Sequence, residues 1–174
     1  GAPFAGNKRE GSVTVLFGPD GVRREVIRHS YSKSKFGSAL AVSDLTGDGV
    51  ADIAISQPKA GAVHVYSGAT WRSINSLWSS AKGPFGSAIA IADFDGDGKN
   101  DIAIGEPMAA GVGEVAVYAL QENSSPIVLM RKQGESAKSM FGSALAMQDV
   151  DGDGYAELIV GAPKDNDAAN KLKA

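Results

Sequence analysis

Apolar residues along the chain fall in short runs rich in valine and isoleucine, alternating with alanine, serine or other small residues. Each run is closed within a few positions by glycine, aspartate or proline. Short β-branched runs with such punctuation predict strands rather than helices. Strands are expected over residues 12–17, 22–29, 37–43, 52–56, 62–67, 72–78, 86–92, 101–105, 114–120, 127–132, 142–148 and 157–161. No segment reads as a long helix. Leu40, Val42, Ile53 and Ile55 alternate with small residues, as the inward faces of closely stacked sheets require.

The runs recur as a unit. Phe36-Gly37-Ser38-Ala39, Phe85-Gly86-Ser87-Ala88 and Phe141-Gly142-Ser143-Ala144 stand 49 and 56 residues apart, each followed by an aspartate-glycine loop, an aliphatic run and Pro58, Pro107 or Pro163. Periods near 50 signify a propeller or solenoid unit. Gly1-Ala2-Pro3 repeats Gly161-Ala162-Pro163, so the chain starts at the phase where its last unit breaks off. The expected fold is an all-β partial β-propeller of four-stranded antiparallel blades. Its parts are a half blade over 1–31 (strands three and four), whole blades over 32–80 and 81–136, and a half blade over 137–174 (strands one and two). Closed propellers need about 4 to 8 blades, so three blade-equivalents cannot close alone. The expected partner is the remainder of a propeller, or a second copy that completes the half blades.

The loops between first and second strands carry the chemistry. They read Asp44, Thr46, Asp48, Val50, Asp52; Asp93, Asp95, Asp97, Lys99, Asp101; and Asp149, Asp151, Asp153, Tyr155, Glu157 at positions 1, 3, 5, 7 and 9. Side chains at 1, 3, 5 and 9, with the carbonyl of residue 7, form a hard oxygen set that suits Ca2+, whereas zinc favours nitrogen and sulfur. An EF-hand is excluded because position 12 is Ile55, Ile104 or Val160 instead of glutamate. Aspartate-glycine pairs also make hairpin turns, but a turn needs no third and fourth carboxylate, and four packed anions without a cation repel. Three calcium sites are therefore expected, structural in role. The 44–52 site should be weakest, because Thr46 supplies a neutral oxygen where Asp95 and Asp151 supply charge.

Composition sharpens this picture. Glycine, at 22 of 174 residues, is about twice its usual share, as a turn-rich fold demands. The chain has no cysteine, which excludes disulfides, thiolate metal sites and thiol nucleophiles. Eleven of the 20 acids lie in the three loops, leaving nine against 17 basic residues, a surplus of eight. Three calcium ions would move the net charge from −3 to +3. No apolar run approaches the roughly 18 residues of a membrane span, so no transmembrane segment is expected. The slightly negative net charge and the absence of an aromatic stacking platform argue against nucleic acid.

Three registers of Phe-Gly, three nine-residue acidic loops, and Gly-x-Pro at residues 1, 105 and 161 make the chain resemble the FG-GAP repeat family. That family includes the N-terminal propellers of integrin α subunits and the C-terminal propeller of glycosylphosphatidylinositol-specific phospholipase D. Ser56-Gln57-Pro58 departs from the pattern. The resemblance implies a seven-bladed propeller with calcium in these loops, used for ligand recognition or cell adhesion at an extracellular or cell-surface location. The alternative is an accessory propeller segment of a secreted hydrolase whose catalytic domain lies elsewhere.

Up-and-down blades place all three acidic loops on one face. The opposite connections carry Lys8, Arg9, Lys33, Lys35, Lys59, Lys82, Lys138 and Lys164, with Arg131 near the end of an outer strand. Lys33, Lys35, Lys59, Lys82, Arg131 and Lys138 are candidates for binding an anionic protein, glycan or lipid headgroup, although solvated surface lysines explain them equally. No catalytic constellation is present: there is no nucleophile elbow, phosphate loop or His-Glu-x-x-His, so the segment is expected not to be an enzyme. His29 and His64 read as strand histidines, and Ser38, Ser87 and Ser143 as backbone contacts. Phe36, Phe85 and Phe141 read as wedges between blades, and Trp71 and Trp78 as outer-strand packing. Asn123-Ser124-Ser125 is a glycosylation sequon if the parent protein is secreted.

Overall fold

The computed structural model of the protein describes residues 1–3, 10–22, 24–29, 33–81, 83–121 and 124–165. Twelve strands fill it: β1 (Ser12–Leu16), β2 (Arg24–Arg28), β3 (Leu40–Ser43), β4 (Asp52–Gln57), β5 (Ala62–Tyr66), β6 (Ser73–Trp78), β7 (Ala88–Ala92), β8 (Asp101–Glu106), β9 (Glu114–Ala119), β10 (Ile127–Gln133), β11 (Ala144–Gln148) and β12 (Glu157–Gly161). Among the described residues the one helical element is a 3-10 turn at Ala109–Gly111. The strands form antiparallel sheets in the orders β1-β2, β3-β4-β5-β6, β7-β8-β9-β10 and β11-β12. This is the expected half blade, two whole blades and half blade.

The blades stack face to face, with β3 beside β7 and β7 beside β11. Strands β4 and β8 are buried along their whole length because a sheet covers each face. Period-two alternation assigns those faces. Ile53 and Ile55 pack with Val13, Ile27 and Phe36 toward the preceding sheet, while Ala54 packs toward the following one with Ile102, Ile104 and Phe85. Ala103 repeats the role of Ala54 in the next blade. The second strand of each blade thus turns large aliphatic residues to the sheet before it and an alanine to the sheet after it, where Val63 and Val65 of the third strand fill the joint. The outer strands β6 and β10 carry register shifts, between Ser73 and Asn75 opposite Tyr66 and Val65, and between Val128 and Met130. Such irregularities bend an edge away from further pairing.

The first strand of each unit starts later than its sequence suggests, at Leu40, Ala88 and Ala144 instead of residues 37, 86 and 142. The preceding segment is a turn: the glycine after each phenylalanine has positive φ. The serine hydroxyl then donates to the carbonyl three residues back, Ser38 to Lys35 at 2.7 Å, Ser87 to Pro84 at 2.8 Å and Ser143 to Met140 at 2.6 Å. Leu40 and Val42 also depart from expectation, being 40% and 62% exposed. Their equivalents Ile89 and Ile91 pack against the sheet before them. The sheet before β3 is β1-β2, in which, among the described residues, no inner strand covers Leu40 and Val42.

Phe36 is fully buried between sheets and Phe85 nearly so. Phe36 meets Tyr66 edge-on, with ring centroids 6.4 Å apart. Phe141 is only half-buried, because among the described residues no third strand joins β11-β12 to supply an equivalent of Tyr66.

Candidate metal centre

The acidic loops link β3 to β4, β7 to β8 and β11 to β12, and so share one end of the stack. The register sets their width: Ser43 pairs with Asp52, Ala92 with Asp101 and Gln148 with Glu157, so position 9 always sits on the first pair of the ladder. A paired strand therefore anchors one carboxylate while the loop carries the others over it, and in the first two loops that strand, β4 or β8, is buried throughout.

In the second and third loops, oxygens of Asp93, Asp95 and Asp101, and of Asp149, Asp151 and Glu157, lie within 4.8 Å of one another. Positions 1, 3 and 9 thus converge as expected. Position 5 does not join them. Asp48, Asp97 and Asp153 each accept the amide of position 7, from Val50, Lys99 and Tyr155 at 2.8, 2.8 and 2.9 Å. The side chains of Val50, Lys99 and Tyr155 are exposed.

The loop backbone folds around the first carboxylate. Gly47 and Gly49 donate to the two oxygens of Asp44 at 2.7 and 2.8 Å, Gly96 and Gly98 to those of Asp93 at 2.8 Å each, and Gly152 and Gly154 to those of Asp149 at 2.7 and 3.1 Å. The Gly49 amide above all, with those of Gly47, Thr46 and Asp48, holds the exposed Asp44 carboxyl below its ordinary range. These glycines need positive φ, between 75° and 94°, which lets the chain fold back on itself.

Asp101 differs. Burial pushes its carboxyl up to about 6, the Phe94 amide pulls it back, and the charges of Asp95 and Asp97 add to the rise. Like charges brought together over a buried anion are a donor set that a cation neutralises. Hard carboxylate oxygens converging on one point fit calcium.

The first loop is built otherwise. Asp52 is fully buried and already accepts amides from Leu45 at 3.0 Å, Thr46 at 3.1 Å and Gly68 at 3.2 Å. Among the described residues its acids form no three-carboxylate group, since Thr46 stands at position 3.

The basic candidates sit at the opposite end. Lys33, Lys59 and Lys138 are exposed and Lys35 is half-buried. The amide of Lys59 donates to the Ser34 carbonyl at 3.3 Å and that of Lys164 to Ser139 at 3.0 Å, which brings each Pro-Lys turn against a blade-entry segment. Lys33, Lys35 and Lys138 have φ of 56°, 61° and 62°. Arg131 is committed within its own sheet, paired with Glu114 and donating to the Tyr118 hydroxyl at 3.3 Å. Lys8, Arg9, Lys82 and Asn123 lie outside the described residues.

The histidines, separated in sequence, stack with ring centroids 4.6 Å apart. The Gln57 amide nitrogen bonds His29 Nδ1 at 3.2 Å and its oxygen bonds His64 Nε2 at 2.8 Å, with Ser76 Oγ on His64 Nδ1 at 2.8 Å. Both rings are thereby tied into the joint between sheets. Trp71 packs beside this joint and meets Phe17 at 5.8 Å, while Trp78 lies edge-on to His64 at 5.5 Å.

Sequence reasoning also missed Asn100 and Glu106. Asn100 reaches back to the first loop, and nothing in its own loop signals that. Glu106 is buried, accepting Ser79 Oγ at 2.7 Å and the Gly83 amide at 3.1 Å. Among the described residues no helix is long and apolar enough to cross a membrane. A family model described as FG-GAP repeat matches residues 36–66, 85–118 and 141–171, more than half of the chain.

Proposed function

Since the chain belongs to the FG-GAP repeat family, we propose that it is a calcium-binding, non-enzymatic segment of a larger propeller that recognises an extracellular ligand or mediates cell adhesion. The observation that carries this reading is the convergence of Asp93, Asp95 and Asp101, and of Asp149, Asp151 and Glu157, at one end of the stack. When bound, a calcium ion would neutralise these carboxylates and cross-link each loop to the strand that follows it. The chain's own residues do the rest. Gly96 and Gly98, like Gly152 and Gly154, hold the first carboxylate in place, and the paired strands β8 and β12 fix the last.

A larger assembly is supported by what the outer sheets leave uncovered. Leu40 and Val42 are exposed on one flank, and Ile159, at 54%, on the other. Their counterparts in the whole blades are covered by a neighbouring sheet. The missing blades are the expected cover, supplied by the remainder of the propeller or by a second copy. The lysine-bearing end, with Lys33, Lys35, Lys59 and Lys138, is the candidate ligand face for an anionic protein, glycan or lipid headgroup.

Thermal unfolding in millimolar calcium and in EDTA tests the metal reading. An ion that binds only the folded chain stabilises it by mass action, and saturation should raise Tm by about 5 °C or more. An identical Tm in both conditions contradicts it.

A further inference from the structure

Adjacent acidic loops are joined through their eighth and first residues. Asn100, the eighth residue of the second loop, donates from Nδ2 to the Asp44 carbonyl at 2.8 Å and to Ser43 Oγ at 3.0 Å. Ala156, the eighth residue of the third loop, donates its amide to the Asp93 carbonyl at 2.9 Å. The Tyr155 ring lies on Gly96, where a Cβ would stand 2.6 Å from Cε1. The second residues complete the interlock. Leu45 is buried in the cluster shared with the next blade, and Phe94 packs with Ala156 and Met147. Where no neighbouring acidic loop stands among the described residues, the same positions are open: Val150 is 64% exposed and Ala51 is exposed.

Asn100 lies between Lys99, whose carbonyl is a candidate ligand, and Asp101, whose carboxylate is another. Ordering the second loop around a cation therefore orders Asn100, which holds the backbone of Asp44, the first ligand of the loop before. Ala156 stands likewise between Tyr155 and Glu157 and holds Asp93. Resting on the calcium reading above, we propose that the three loops bind metal as a linked row. Occupancy of the 93–101 loop tightens the 44–52 loop through Asn100, and occupancy of the 149–157 loop tightens the 93–101 loop through Ala156 and Tyr155. Linkage makes each coupling reciprocal. Part of it comes from ordering a segment that two ligands would otherwise each have to order. Neighbouring ions repel, which acts with the opposite sign and is screened by salt, so the sign of the coupling is itself diagnostic.

The amides of Gly49, Gly98 and Gly154 each donate to the first carboxylate of their own loop, and report each site separately in a calcium titration followed by amide NMR. Asp95→Asn removes an exposed ligand of the second loop alone. It should move the Gly49 midpoint to about fivefold or more higher calcium. In an Asn100→Ala chain, the same Asp95→Asn change should move that midpoint by less than about twofold. The proposal is overturned if the Gly49 midpoint ignores Asp95→Asn, or if the shift persists in full without Asn100. If none of the three amides responds to calcium, the calcium reading itself falls, and the linked row with it.

Discussion

Gly105 lies so close to Gly142 of the next sheet that a Cβ on Gly105 would stand 2.1 Å from the Gly142 carbonyl oxygen. Gly1 stands in the same relation to Gly37, also at 2.1 Å. The Gly-x-Pro glycine is thus the point where one blade touches the inner entry of the next. Gly161 holds the same place in the last sheet, where the nearest atoms a Cβ would meet are those of its own strand partner Ala144, the Ala144 Cβ first at 3.2 Å.

Gly105→Ala should therefore lower stability by about 1–3 kcal/mol, the usual cost of forcing extra volume into a packed joint. Gly161→Ala should cost well under about 1 kcal/mol. Denaturant unfolding of the two variants checks this, and equal losses would show that the glycine serves its own strand instead of the joint between blades.

Burial above all, and then the charge of His29, depresses His64 to about 4 from an ordinary 6.5. Above pH ~6.5 both folded and unfolded chains hold a neutral ring, and this group costs nothing. Between about 6.5 and 4 the unfolded chain takes up a proton that the folded chain refuses, so stability falls with pH, by at most about 3 kcal/mol from this group. His64→Asn should flatten that part of the stability profile. A profile of unchanged slope in the variant would show that carboxylates alone set it.

Thr46 is exposed and stands where the other two loops have aspartate. In Thr46→Asp the first loop regains a third carboxylate. A unit charge near another is worth about 1 kcal/mol at 4 Å in water and about twice that toward a divalent ion, so affinity at that loop should rise at least tenfold, or about 1.4 kcal/mol. The Gly49 amide reads this site directly. An unchanged midpoint would mean that Asp52, saturated by the Leu45, Thr46 and Gly68 amides, withholds its oxygens from the ion.

Charge reversal of Lys33, Lys35, Lys59 and Lys138 together should abolish retention on a sulfated-glycan resin at physiological salt, where the Debye length is about 8 Å. Reversal of Lys99, at the acidic end, should leave retention unchanged. Equal retention of native and reversed chains would show these lysines to be solvated surface and no more.

Much of the fold was legible because turns and strands are marked by local chemistry. Gly37, Gly86 and Gly142 punctuate each entry, and Ile53, Ile102 and Leu158 follow the acid that opens each second strand. The converging carboxylates were legible for the same reason, since positions 1, 3 and 9 are bound by one short loop. What depends on contacts across blades was not. Asn100 meets Asp44 across 56 positions, and His29 meets His64 across sheets whose separation no local spacing reveals. Leu40 and Val42 carry the pattern of buried residues, and their exposure depends on what covers them from the β1-β2 sheet, where no inner strand stands among the described residues. Asp97 and Asp153 look like ligands by spacing, yet the amides of Lys99 and Tyr155 compete for their oxygens.

Calorimetric titration of the EDTA-treated full chain with calcium decides whether the acidic loops are cation cages. Three bound ions are expected, two of them at tighter sites in the 93–101 and 149–157 loops and one at a weaker site that disappears in Asp44→Ala. A titration that shows no bound calcium up to millimolar concentrations would contradict the calcium reading.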